Sequence, residues 1–205
     1  MMIAISDDTA ADMLIQLVGR SAVQAQDRQW SDHAALNVPF LTARESLLLK
    51  LHPALASHYL SLAPSQRAAF LASSVDPLPF SQARTQSLPD SPTDIDTTEY
   101  FASPDDICRV LAGLQQLAAQ PALAPLGPIL SANGGQIGLD PAQWPTVWVK
   151  GGSEPGVLTQ AYLATNSKGE TFVVAAMLSN PAAALSPSAL PGLLAIVRGA
   201  FGLVR

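Results

Sequence analysis

An α+β domain is predicted for residues 1–205, and three observations predict it. Apolar residues recur at helical spacing through most of residues 1–139, the period changes to that of strands after Asp140, and an amphipathic stretch closes the chain. The expected architecture is a mainly helical region with a surface connection at 75–98. An antiparallel sheet covered by a C-terminal helix follows, over residues 140–205.

The elements follow in order. Met1 to Ile5 is apolar and runs into Ser6 without a turn signal, as the last turn of a helix would. From Thr9 to Val18, Ala10, Met13, Leu14 and Leu17 fall at i, i+3, i+4 and i+7, with Gly19 as a C-terminal stop. Ser21-x-x-Gln24 and Thr42-x-x-Glu45 carry the pattern of a capping box and predict two further helices. Another is expected within Leu60 to Ser74, with Pro64 in its first turn. Residues 75–98 turn Pro, Ser, Thr and Asp rich, which suits a solvated connection kept wet by Asp94 and Asp96.

Helix resumes at Ser103-Pro104-Asp105-Asp106, where a cap serine, a proline at N1 and two acids complement the dipole. Its core face to Ala119 is Ile107, Val110, Leu111, Leu114 and Leu117. Pro121 to Gly138 holds too many Pro and Gly for a long element. Strands are expected at Thr146–Lys150, Val157–Ala164 and Thr171–Leu178, the last buried, with Asn166 to Gly169 as a hairpin turn. After Ser186, Leu190, Leu193, Leu194, Val197 and Phe201 form one apolar stripe of a closing helix.

Bulk properties exclude several classes. With 48% hydrophobic and 13% charged residues the chain can build a core. A net charge of −5 without any Lys/Arg cluster leaves nucleic acid without an electrostatic footprint. No membrane span is expected, because the most apolar stretch, Leu190 to Val204, is interrupted by Arg198 and is shorter than the roughly 20 residues a bilayer needs. The lone Cys108 cannot form an internal disulfide and reads as a small buried hydrophobe. His33, His52 and His58 have neither metal-ligand spacing nor a carboxylate at a helical interval, so no metal and no cofactor is expected. Trp144 and Trp148 read as core.

Two segments carry chemistry. Ile5-Ser6-Asp7-Asp8-Thr9-Ala10-Ala11-Asp12 stands at a helix start, and Trp148-Val149-Lys150-Gly151-Gly152-Ser153-Glu154-Pro155-Gly156 runs along a strand. Alone, the first is ordinarily an N-cap and the second a strand end. Together, in this order, they resemble the S-D-N and K-T-G signatures of penicillin-recognising serine hydrolases, in particular the C-terminal part of class A β-lactamase-like enzymes. The resemblance runs over residues 1–205, with 52–98 longer than compact members need.

It implies a single β-lactamase-like domain and a small-molecule substrate with an amide or β-lactam carbonyl, opened through an acyl-enzyme. By the same resemblance Ser6 relays a proton to the leaving nitrogen, and Lys150 attracts the substrate carboxylate and favours that relay. Asp8 and Gly152 would border the substrate, and the Ser153 N–H would donate to the oxyanion. A periplasmic or secreted location is implied as well, although no signal peptide is visible.

Two departures weaken family contacts. Asp8 replaces an asparagine and can only accept hydrogen bonds when ionised, and Gly151 replaces a hydroxyl residue. Glu45 stands where a deacylating glutamate would be sought, but the capping box with Thr42 already accounts for it.

The third signature, S-x-x-K, is missing. The only lysines are Lys50, Lys150 and Lys168, preceded three positions earlier by Leu47, Val147 and Thr165. The chain therefore reads as an N-terminally truncated enzyme lacking the nucleophile helix and first strands, inactive and aggregation-prone alone. The alternative is a non-catalytic binding module with the same fold.

Overall fold

The computed structural model describes residues 2–79, 90–133 and 137–204. Its first elements are α1 (Met2–Ile5), α2 (Asp8–Val18), α3 (Arg20–Trp30), α4 (Ala43–Leu51), α5 (Pro53–Ser61) and α6 (Pro64–Phe70), which runs on into a π-helical turn at Leu71–Val75. After them come α7 (Pro104–Ala118), a 3-10 turn at Pro121–Leu123 and α8 (Leu126–Ser131). The strands β1 (Thr146–Glu154), β2 (Val157–Thr165) and β3 (Thr171–Ser179) precede α9 (Ala189–Gly202). This is the mixed α+β arrangement expected from the order of periodicities.

The sheet is antiparallel, in the order β1-β2-β3, with Trp148 opposite Leu163 and Val149 opposite Tyr162. Because side chains alternate, those two pairs serve opposite faces. Val149 and Tyr162 join Trp144, Val197 and Phe201 under α9, where Trp144 meets Phe201 edge-on at 5.2 Å. Trp148 and Leu163 join Leu111 of α7 and Leu130 of α8 on the other face. Helices thus cover both faces, not the C-terminal helix alone. A separate core of Leu41, Leu48, Leu49, Ala56, Tyr59, Leu71 and Val75 holds α4 to α6 together.

Local chemistry explains most boundaries. Thr42 accepts from the Glu45 N–H at 3.1 Å while Glu45 accepts from the Thr42 N–H at 2.7 Å, the reciprocal cap expected at α4. Ser103 and Asp106 make the same box at α7. The box expected at Ser21 does not form: Gly19, φ 84°, both ends α2 and precedes α3, so Ser21 lies inside the helix and Gln24 instead accepts from the Phe40 N–H at 3.1 Å. The helix α5 was not foreseen, although Pro53 at its first position is the usual signal.

Several burial expectations are corrected. Apolar spacing marks which face of a helix is apolar, not whether anything covers it. On α2, Met13 is 64% and Leu17 80% exposed. Leu117 and Leu190 are likewise exposed, and Val-rich β3 is only half-buried because it is an edge strand. Cys108 is half-buried too, and burial pushes its thiol pKa up. In the supposed surface connection, residues 80–89 lie outside the described residues, while Ile95 and Thr98 are buried. The Ser46 hydroxyl donates to Thr98 O at 3.0 Å and draws that segment onto α4.

His33 also differs. Its Nδ1–H donates to Asp106 at 2.6 Å from 73 residues away, a carboxylate that a search at helical intervals cannot find. Burial would raise Asp106, but hydrogen bonds from the Ser103 and Asp32 N–H groups, His33 and Arg109 hold it far below the usual carboxylate range. The residue therefore pins the 31–37 loop to the start of α7.

Candidate active site

Ser6 is the pivot of the site. It sits in the two-residue break between α1 and α2 with φ 53°, a left-handed conformation uncommon for a residue with a Cβ. The cap of α2 is Asp7, whose carboxylate accepts from the Ala10 N–H at 3.0 Å. Ser6 is thereby spared capping duty. Its hydroxyl instead receives a hydrogen bond from Lys150 Nζ at 2.9 Å, across 144 positions of sequence.

Lys150 comes from the middle of β1, on the face that also carries Trp148, and its ammonium additionally donates to the Gly151 carbonyl. Burial lowers its pKa from the ordinary 10.5, with the negative charge of Asp8 opposing that shift. Asp8, in the first turn of α2, makes no hydrogen bond among the described residues and is left as an acceptor. Two residues further into α2 than Ala10, Asp12 caps another element. It accepts from the Ala43 and Arg44 N–H groups at 2.7 and 3.0 Å, fixing α4 against α2.

Ser6, Asp8 and Lys150 border a cavity of about 730 Å³. Ser6, Asp8, Lys150, Gly152 and Ser153, the five residues singled out from the sequence, all line it. Gly151 is explained by its cross-strand partner: a Cβ there would come 2.6 Å from Gln160 Nε2, so the Gln160 side chain fills the space a hydroxyl residue would use. At Gly152 an added Cβ would meet Thr159 Oγ1 at 3.1 Å. Glu45 is not part of this cavity. It is buried, paired with Arg20 at 2.6 Å, and committed to its cap.

Sequence reasoning missed the other end of the cavity, formed by Lys50, Glu99, Tyr100 and Glu154. Lys50 donates to both Glu99 and Glu154. One signal was available: Lys50 is the one charge in Leu47-Leu48-Leu49-Lys50-Leu51, and an ammonium within an apolar helical run must find carboxylates. Its partners, 49 and 104 residues away, carry no such mark.

Among the described residues no group of three or more His, Cys, Asp and Glu side chains is arranged to hold a metal ion, and no helix is long and apolar enough to cross a membrane. The profile of a family described as Beta-lactamase enzyme family matches residues 1–195. A search of curated proteins finds no significant match.

Proposed function

We propose that this chain, which belongs to the β-lactamase enzyme family, supplies the proton-relay and carboxylate-binding wall of a cleft for an amide or β-lactam carbonyl. Family membership makes it a β-lactamase-like hydrolase domain acting on a small molecule. The observation that carries the finer reading is the 2.9 Å hydrogen bond from Lys150 to Ser6. A hydroxyl held against a partly desolvated ammonium can pass a proton to a leaving nitrogen and be resupplied. The same ammonium attracts a substrate carboxylate. The Ser153 N–H is assigned to the developing oxyanion, Gly152 to the close approach of substrate, and Asp8 to a hydrogen-bond donor on the substrate.

The acyl-accepting serine of the family's S-x-x-K motif does not occur in residues 1–205. On this reading these residues bind and orient substrate but are not themselves acylated. A second reading, a binding module without turnover, is favoured by Asp8 and by Gly151, each of which gives up a family contact. An extracytoplasmic location, periplasmic or secreted, is proposed from the habit of the family.

Two probes separate the readings, a fluorescent penicillin and a fluorophosphonate, applied to residues 1–205 and to the longest product of the gene. Reversible penicillin binding by residues 1–205, lost in Lys150→Ala, is the expected result. Covalent labelling of the longest product eliminates the binding-only reading. Binding that is indifferent to Lys150 overturns the proposal.

A further inference from the structure

We propose that the cleft selects a zwitterionic amide or lactam, whose carboxylate meets Lys150 and whose ammonium group meets the Glu99 and Glu154 carboxylates at the opposite end. The proposal rests on the function proposed above and names the substrate class of the same site.

Three observations carry it. Lys150, Gly152 and Glu154 alternate with Gly151 and Ser153 along β1 and so share one face of the strand. At the strand rise of about 3.3 Å per residue, the two strand positions that carry this cation and anion are about 13 Å apart along the backbone, with a residue that has no side chain between them. An extended small molecule can lie along that gap.

The far end is built so that its anions, not its cation, meet the ligand. The Lys50 side chain is only 4% exposed, whereas those of Glu99 and Glu154 keep 19% and 21%. All three groups border the cavity, and the carboxylates keep more of their surface exposed than the ammonium does.

The charges there do not balance. One ammonium faces two carboxylates, and among the described residues the cavity is lined by three carboxylates, Asp8, Glu99 and Glu154, against two ammonium groups, Lys50 and Lys150. A structural pair would need only one acid for Lys50. The second costs desolvation and repulsion: burial pushes Glu154 up despite the hydrogen bond from Lys50, and Glu99 adds to the rise. An incoming ammonium offsets the repulsion between the two acids. A metal ion is the poorer occupant, because the described residues bring no third metal-binding side chain to this end.

The test compares two ligands that differ only in the distal group: the 6-aminohexanoyl and heptanoyl amides of 6-aminopenicillanic acid. Each is titrated calorimetrically into residues 1–205 at neutral pH and low salt. The amine-bearing ligand should bind about tenfold more tightly, as one hydrogen bond to a charged group allows. Glu99→Gln, which leaves Glu154 to pair with Lys50, should bring the ratio close to one.

Lys150-dependent binding of both ligands with equal affinity overturns this proposal and leaves the proposed function standing. So does a preference for the amine that survives Glu99→Gln undiminished. Failure of both ligands to bind overturns both proposals.

Discussion

Lys150 Nζ lies 2.9 Å from Ser6 Oγ, joining the middle of a strand to a left-handed turn at the other end of the chain. Asp7 makes that possible by taking over the helix cap, since a capping Ser6 would turn its hydroxyl towards the backbone N–H groups of α2. The contact is a product of the fold rather than of either segment.

Its pH dependence follows from burial. The folded-state pKa of Lys150 is lowered from 10.5, so between the lowered value and 10.5 the unfolded chain holds a proton that the folded chain has lost. Stability contributed by this group therefore rises with pH across that window, the burial penalty being fully present below it. Binding of a carboxylate ligand runs the other way and weakens over the same window. Urea melts and ligand titrations as a function of pH should show both trends, and Lys150→Met should flatten both.

Glu45 separates a structural acid from a catalytic one. Glu45→Ala removes a cap acceptor and leaves the half-buried Arg20 without its partner, so a loss of about 3 kcal/mol is expected. Thr42→Ala should cost about 1 kcal/mol. Glu45→Gln should leave penicillin affinity unchanged, because the side chain is absent from the cavity lining. A drop in affinity measured on folded Glu45→Gln would return Glu45 to the site.

Gly151 and Gln160 should be energetically coupled. A side chain at 151 must displace the amide of Gln160, the movable end of a flexible side chain. In a double-mutant cycle of Gly151→Thr and Gln160→Ala, the cost of the threonine should shrink by about 0.5 kcal/mol or more once Gln160 is shortened. Strict additivity would mean that Gln160 does not explain the glycine.

The apolar face of α2 should drive self-association. Met13, Leu17 and Val18 of α2, and Ile5 at the end of α1, are all more than half exposed. Met13→Gln with Leu17→Gln should lower light scattering at a given concentration without lowering the unfolding midpoint, since neither residue is buried.

Much of this was legible because it is local. Capping boxes at Thr42 and Ser103, the hairpin turn with Gly169 at φ 83°, and the alternating strands are written within a few residues of themselves. What stayed hidden is non-local. The Ser21 pattern lost to Gly19, which fixed the helix boundary two residues earlier, and Gln24 was claimed by the Phe40 N–H. The Lys50, Glu99 and Glu154 cluster joins residues 49 and 104 apart, and His33 finds Asp106 across 73. The cleft residues named from the sequence were found by motif, whereas Lys50, Glu99 and Tyr100 at its far end belong to no motif, and Glu154, inside the quoted strand segment, gains its partner only when α4 and the end of β1 meet.

On the proposed function, Lys150, supported by Ser6, receives a substrate carboxylate. The most direct measurement is the affinity of residues 1–205 for a penicillin relative to its methyl ester, in the unaltered chain and in Lys150→Ala. A preference for the free acid of about tenfold, the scale of one charge-assisted hydrogen bond, that disappears in Lys150→Ala is the predicted result. Equal affinity for acid and ester in the unaltered chain, or a preference that persists without Lys150, would contradict it.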